Sequence, residues 1–530
     1  MGVIASLARS VVVSCALGRC KLLINLVIMP SHVVKLLSQA AVPEDKFPRI
    51  SLIVGVLVVA AVARGLFLYF NLSLDIAPGW PWGARWGLAA ALSDFGTIAD
   101  YDYASAQIPR FGGEGVVAGW LYSDRGIAYP HLLIKLITGT SSWAALQVFH
   151  LAVDTLMVIP IISMAAQLGG RRVAVFSGTI YALYLPQIWL AANPSYPTWL
   201  TFGFILSTWA FLRFTEHKVV GLPSFAWLIC ITLTVAIANE FRSVIFLYGL
   251  AMPLWLGLVT GLTKVWGKRS PGFGRQFVSL ALVGLSTVIL AGAANYTIRG
   301  DWTPVRSTLG HNFWVGVGQF DNPYGLIADD GVVTDFYVRE RGVPRPISVF
   351  DTEYNDWLTD RAIQFVREYP GLYASMAARR STRILFPAPI VRLVATHIPY
   401  TMQPEVRKKA EIRQQLVAQN GVFSVATIEG VIKSDPGYAV SMLVRFIIML
   451  AVPIGVVLAL LLGANRRLIA LACLPWAYCL VTISPFFGPQ RIDVSFTAAM
   501  IPVVATGLTL GASWTRRLFH RATPNDRQGA

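Results

Sequence analysis

Apolar runs of about 20 residues recur along the chain, and for most of its length only a few charged positions part them. They fall at 51–71, 143–168, 173–191, 197–214, 223–240, 243–262, 277–298, 440–463, 468–486 and 494–513, each close to the length a bilayer core requires. The pattern predicts an all-α polytopic membrane protein with about ten transmembrane helices, rising to about twelve if the first fifty residues add a hairpin. Two long polar stretches, 72–142 and 299–439, interrupt the series and are expected to carry short helices lying in the membrane interface.

Charge orients the series. With the amino terminus in the cytosol, Arg171 and Arg172, Lys218, Lys264 to Arg275, Arg466 and Arg467, and Arg516 to Arg521 all fall on the cytosolic side, as the positive-inside rule demands. Both long loops then lie outside, and both termini lie inside. The expected organisation is an uncertain segment at 1–50, a transmembrane half at 51–298 containing the first outer loop, an outer region at 299–439, closing spans at 440–513 and a cytosolic tail at 514–530. Residues 1–50 read equally as an amphipathic surface segment, an extra hairpin or a start codon placed too early.

Composition supports the class. Hydrophobic residues make up 55% of the 530 and charged ones only 14%, far more apolar surface than one water-soluble core needs. A formal charge of +16 does not imply nucleic acid, because the cations sit in short clusters where they orient spans and meet anionic lipid or phosphate. Cys15, Cys20, Cys230, Cys473 and Cys479 lie in or beside apolar segments, so neither a disulfide framework nor a zinc site is expected. No phosphate-binding glycine loop or serine triad is evident.

The first outer loop holds the most suggestive acids. Asp94 stands near the end of an interfacial stretch from Trp86 to Phe95, and Asp100 and Asp102 follow it, with Tyr101 and Tyr103 beside them. Such carboxylates could deprotonate an acceptor hydroxyl or amine, or hold a divalent cation through oxygen ligands. Solvated loop charges are the plainer alternative.

Several segments occur in succession: IADYDYASAQI, AYPHLLIKLI at 128–137, GGRRVAVFSGTIYALYLPQIW at 169–189 and NPSYPTWLTFGFILSTWAFLRF at 193–214. STLGHNFWVGVGQFDNPYG at 307–325, YNDWLTDRAIQFVREYPGLYASMAARRSTRIL at 354–385 and PFFGPQRIDVSFTAAMIPVVATGL at 485–508 follow them. This ordered set resembles the C-type membrane glycosyltransferases, in particular the bacterial relatives of protein mannosyltransferases and of the lipid A aminoarabinose transferase. The resemblance implies a bundle with an outward-facing cavity. It also implies transfer of a sugar, with inversion, from a polyprenyl phosphate donor to an envelope glycan, lipid or protein acceptor outside the cytoplasmic (inner) membrane. Gly96 and Thr97 stand where many relatives carry the first acid, so the base stays open among Asp94, Asp100 and Asp102.

A departing lipid phosphate needs cations. Arg491, beside Pro489 and Gln490, and Arg379, Arg380 and Arg383 after Pro370 are the candidates, and guanidinium suits phosphate bidentately. Interfacial anchoring is their alternative role. Glu240 and Arg242, His311 and Asn312 are further candidates for substrate contact, set against a structural role in each case. Gly310, Gly316 and Gly318 imply either a ligand or a packed helix against the backbone. Two rival functions remain: a ligase or polymerase of preassembled glycans, and a non-enzymatic transporter of lipid-linked sugars. The transporter would place charges within spans, whereas nearly all here stand at span ends, with Arg64 and Asp154 the main exceptions.

Overall fold

The computed structural model describes residues 48–73, 143–192, 196–217, 221–265, 272–299, 308–343, 352–389, 425–434, 436–486 and 492–522, with a few single positions between them. Among these the chain is helical, without strands. The membrane part begins with α1 (Ile50–Ser73), α2 (Trp143–Leu156), α3 (Val158–Gly169), α4 (Arg171–Ala182), α5 (Leu185–Ala192), α6 (Tyr196–Glu216), α7 (Leu222–Phe241), α8 (Tyr248–Val265) and α9 (Phe273–Arg299). The outer region supplies α10 (Leu309–Val317), α11 (Asp330–Arg341), α12 (Thr352–Glu368), α13 (Pro370–Leu385) and α14 (Val425–Ser434). α15 (Pro436–Leu462), α16 (Arg466–Ala472), α17 (Leu474–Thr482) and α18 (Ile492–Ala522) complete the chain.

Helices stand at all ten predicted apolar stretches, but length and composition support fewer crossings. Among the described residues six stretches are long and apolar enough to cross a bilayer, and α4 with α5, bent by 48°, would make a seventh. The shortfall has physical reasons. α6 is 21 residues long and buried on nearly all sides, and its polar and aromatic residues lower its hydropathy. The run at 468–486 divides into α16 and α17 at Cys473, one residue before the Leu474–Pro475 start of a new helix. Between α3 and α4, Gly170 adopts φ 79°, a left-handed conformation that lets the chain turn sharply.

α18 is the centre of the bundle. It packs against α15, α6, α3, α4 and α17, and 83% of its apolar window is buried inside the protein, against 22% for α15. α15 therefore presents most of its girth outward, through Leu443, Phe446, Ile447 and Ile454, as α7 presents Phe225, Ile229 and Leu233, and α9 Val278, Leu282 and Ile289. Apolar surface so extensive is stable only where hydrocarbon is the solvent. The protein is thus an integral membrane protein.

α15 and α18 approach at glycines. A Cβ on Gly507 would collide with the carbonyl oxygen of Gly455 and lie 2.8 Å from the backbone nitrogen of Ala459, so only a bare backbone allows this contact. Gly507→Ala is expected to destabilise the fold by about 1–3 kcal/mol, the range for an overpacked interior. Gly257→Ala, whose new Cβ would lie 3.7 Å from Phe277, should leave the thermal unfolding midpoint almost unchanged.

The outer region is more ordered than its polar, turn-rich sequence suggests. Phe313, Trp314, Phe336, Tyr337, Tyr354, Leu358, Phe365 and Met376 form a second core, separate from that of the bundle. The stretch from Asp329, which reads as turn formers, begins a helix because the Asp329 carboxylate accepts from the backbone N–H groups of Gly331 and Val332. Glycines 310, 316 and 318 serve packing rather than a ligand: a Cβ on each would strike, respectively, the backbone of Asn355, Phe486 and Ile327. The stretch VRKKAEIRQQLVAQ at 406–419, a basic amphipathic helix by its sequence, lies almost wholly outside the described residues.

Candidate functional site

Two groups of polar side chains lie where the outer helices meet the bundle. The first is centred on Arg380, fully buried on α13. Its Nη1 donates to the carbonyls of Ser484 (3.3 Å) and Pro485 (3.0 Å) beyond α17, and its Nη2 to the carbonyl of Gly316 (2.7 Å) at the end of α10. One guanidinium thus ties the bundle, the outer core and α13 together. Trp476 adds a second tie through Nε1 to the carbonyl of Ile384, 2.8 Å away. Burial lowers the Arg380 pKa to about 10, so the group remains charged at neutral pH. Arg379 and Arg383 are exposed, and with Arg380 they converge on the ring of Phe320 at 5.8, 5.8 and 5.3 Å.

The second group is centred on His311. Its Nε2 lies 3.1 Å from Asp330 Oδ1, its Nδ1 2.7 Å from the Tyr354 hydroxyl, and its backbone N–H donates to Asn355 Oδ1 at 3.3 Å. A carboxylate only accepts, so Nε2 carries the proton toward Asp330, and in the neutral ring Nδ1 accepts from Tyr354. The ring is buried while the carboxylate it holds is exposed. The hydrogen bond from His311 is the main cause of a lowered Asp330 pKa, with the charges of His311 and Arg242 acting in the same sense and burial opposing.

Because the folded-state value is depressed, this contact stabilises fully above the ordinary carboxylate pKa of 3.8 and is lost as the pH falls through the lower folded value. His311→Ala is expected to return Asp330 toward 3.8 and to flatten the acid limb of the unfolding temperature against pH. The effect is small because the carboxylate is solvent-screened.

Glu240 and Arg242 sit at the end of α7. The Tyr129 hydroxyl donates to Glu240 Oε2 at 3.4 Å, and a Cβ on Gly126 would strike the backbone of Glu240 and Phe241, so the end of the first outer loop returns onto α7. Arg242 lies over the Tyr196 ring at 4.9 Å and faces Asp330 electrostatically. Of the sequence candidates, the structure therefore brings Arg242 toward His311 through Asp330. Asn312 turns instead to its own helix start, donating to Thr308 Oγ1 at 3.1 Å. Asp94, Asp100, Asp102 and Arg491 lie outside the described residues.

Asp330, Tyr354 and Tyr196 were not singled out in the sequence, where 19 and 43 residues separate Asp330 and Tyr354 from His311. Only the Asp-Asp-Gly helix start gave any signal. Among the described residues, no three of His, Cys, Asp and Glu gather closely enough to hold a metal ion.

No family model and no curated protein matches the chain. Among solved structures, the chain is similar to the archaeal oligosaccharyltransferase AglB from Archaeoglobus fulgidus in complex with an inhibitory peptide and a dolichol-phosphate. That similarity has a TM-score of 0.47 and 12% identity, and covers 90% of this chain and 52% of that one. It is also similar to an oligosaccharyltransferase of the same organism tethered by a disulfide to an acceptor peptide containing the NVT sequon, with a TM-score of 0.48, 12% identity and coverage of 90% and 51%. The chain spans about half the length of these neighbours.

Proposed function

We propose that the protein is a membrane glycosyltransferase that transfers a sugar from a polyprenyl phosphate to an acceptor outside the cytosol, with inversion at the anomeric carbon. The observation that carries this reading is the arginine group at the junction of the bundle and the outer helices. Arg379, Arg380 and Arg383 gather where α13 meets the end of α17. Cations there would stabilise the phosphate as it leaves. The ordered sequence resemblance supports the same reaction, with Asp100 or Asp102 as the group that takes the acceptor's proton and Arg491 as a further phosphate ligand. The acceptor is an envelope glycan, lipid or protein, and the setting is the cytoplasmic membrane.

The transporter reading is disfavoured by the state of Arg64 and Asp154, two of the charges that lie within spans. Arg64 and Asp154 are paired with each other, Arg64 also donates to the carbonyls of Ala60 and Ala182, and Asp154 accepts from Tyr181 and Gln187, which suits a fixed tie rather than a path. The test is transfer of radiolabelled sugar by the purified chain from a panel of polyprenyl phosphate donors. Turnover of at least one donor is expected. Failure with every donor, together with joining of preassembled glycans, would replace this reading with the ligase.

A further inference from the structure

Arg466 and Arg467 open α16 on the side that the positive-inside rule assigns to the cytosol, and their surroundings differ. Arg466 Nη2 donates to the carbonyl of Leu461 at 2.9 Å and so closes the end of α15. Arg467 is half-buried, and its Nε and Nη2 are shielded from solvent without a hydrogen-bond partner. A snorkelling arginine would hold its N–H groups in water or among headgroups, so this one is not a simple anchor. Nor does the sequence bring it a counter-charge: 261–276, 463–467 and 512–521, at the cytosolic ends of the helices that α16 packs against, contain no Asp or Glu. Glu216, at the same end of α6, is engaged by Arg213, whose Nη1 lies 3.5 Å from its Oε2.

The register of α16 against α8 places this guanidinium. α16 packs on α8 and on α15, and Trp255 Nε1 of α8 donates to the carbonyl of Ala470 at 2.9 Å. Arg467 and Ala470, three apart, share a face of α16, so Arg467 stands on the side turned to α8. With α8 running toward the cytosol and α16 away from it, as their basic connectors require, Arg467 lies roughly 4.5 Å nearer the cytosol than Ala470, and Leu258 roughly as much nearer than Trp255. Leu258 and Leu262, three and seven residues after Trp255, lie on the same side of α8 as its ring, and with Leu254 they are exposed. Arg467 is therefore level with lipid-facing leucines, at the border of a face that hydrocarbon covers.

We propose that Arg467 binds the headgroup phosphate of an anionic phospholipid of the cytosolic leaflet, whose acyl chains lie along Leu254, Leu258 and Leu262 of α8. The site is separate from sugar transfer and does not depend on that reading. A guanidinium matches phosphate oxygens with two parallel donors, and a turn about the last torsions of Arg467 swings Nε and Nη2 onto a headgroup at the level of Leu258. Pairing there removes the cost of leaving two buried donors of a charged group unsatisfied. Charge selects the kind of lipid: a zwitterionic headgroup would bring an ammonium to a place with no carboxylate to receive it, whereas an anionic one is attracted by the basic connectors around it. Bound there, the lipid covers the seam between α8 and α16 and stabilises the folded chain by mass action.

The test uses the full chain, purified in detergent and stripped of lipid, and titrates it with phosphatidylglycerol, phosphatidylethanolamine or inorganic phosphate. Native mass spectrometry reads the lipid retained, and the unfolding midpoint reads its effect. Phosphatidylglycerol is expected to be retained as one discrete copy and to raise the midpoint. Arg467→Gln should weaken that binding about tenfold or more, as loss of a charge-assisted pair implies, and Arg467→Lys should keep part of it. Arg466→Gln, which removes the same formal charge next door, should lower the midpoint through the open end of α15 and leave the lipid-dependent rise in place. Should Arg467→Gln fail to fold, Leu258→Glu carries the test, because a carboxylate at that level would pair with Arg467 and abolish the rise.

An undiminished rise in Arg467→Gln, or in Leu258→Glu, would overturn the site. Equal losses in Arg466→Gln and Arg467→Gln would reduce it to the general attraction of a basic surface for anionic lipid and overturn it as well. Phosphatidylethanolamine as effective as phosphatidylglycerol would overturn the selection by charge, and inorganic phosphate as effective as the lipid would overturn the membrane source. Both readouts are independent of sugar transfer, so each of these outcomes leaves the enzyme reading as it stands.

Discussion

Asp154→Ala is expected to destabilise the protein by about 3–5 kcal/mol, the range for removing one partner of a buried ion pair. Both Arg64 and Asp154 are 1% exposed, deep among α1, α2, α4 and α5. Arg64 Nη2 lies 2.5 Å and Nε 2.7 Å from Asp154 Oδ2. The other carboxylate oxygen accepts from the Tyr181 hydroxyl at 2.6 Å and from Gln187 Nε2 at 2.9 Å. Gln187 is itself fixed by a bond from Thr201 Oγ1 to its Oε1, at 3.0 Å.

The substitution thus leaves a guanidinium without its counter-charge and two donors without an acceptor, in surroundings that offer no water. Replacing both members by apolar residues of similar size, Arg64→Met with Asp154→Leu, should recover most of the loss. The unfolding midpoint of the detergent-solubilised protein distinguishes the cases. A single variant as stable as the wild type would show that the pair contributes nothing, and a double variant as unstable as the single one would show that its partners matter more than the charges.

A second large effect concerns the reaction. Asp100→Asn together with Asp102→Asn is expected to reduce sugar transfer about 10²–10⁴-fold, the usual contribution of a general base, at unchanged protein level. An amide keeps the shape of the carboxylate and cannot take the acceptor's proton. Transfer that survives the double change would move the base to Asp94 or to Glu240, whose carboxylate meets the returning first loop at Tyr129. Glu240→Gln in the same assay separates these outcomes, since a Glu240 that only anchors the loop should alter stability more than rate.

Apolar runs made the helices of the bundle legible, because a span that faces lipid must be hydrophobic on every exposed side, as α1, α7, α9 and α15 are. The same logic hid the number of crossings. α6 is buried on nearly all sides and less apolar than the counted spans, while the 7-residue α16 and 9-residue α17 form one apolar run broken by a proline start. Arg64 and Asp154 stood out as charges within spans, but nothing in sequence spacing says that they meet.

The outer region was the least legible. Its helices α11, α12 and α13 bury aromatic residues against each other rather than against lipid, so their polar faces dominated the pattern. Arg379, Arg380 and Arg383 were readable as a cluster, but the exposure of two and the burial of the third depend on contacts from Phe320, Ser484 and Pro485. Asp330 owes its importance to His311, 19 residues away in the chain, which local patterns do not carry.

The bond from Arg64 to Asp154 spans 90 residues, and this bears on how the protein is made. At about 5–20 residues per second, the partner of Arg64 leaves the ribosome roughly 5 to 18 s after it. During that interval α1 must enter the bilayer with a lone arginine, at a cost of about 2.5–3.5 kcal/mol on insertion scales, offset by the strongly apolar residues around it. Stable residence of the first span therefore awaits synthesis of the second and fourth helices. Helices α1, α2 and α4 then settle as one cooperative unit during biogenesis, and a translation stall between them would leave the nascent chain open to quality control.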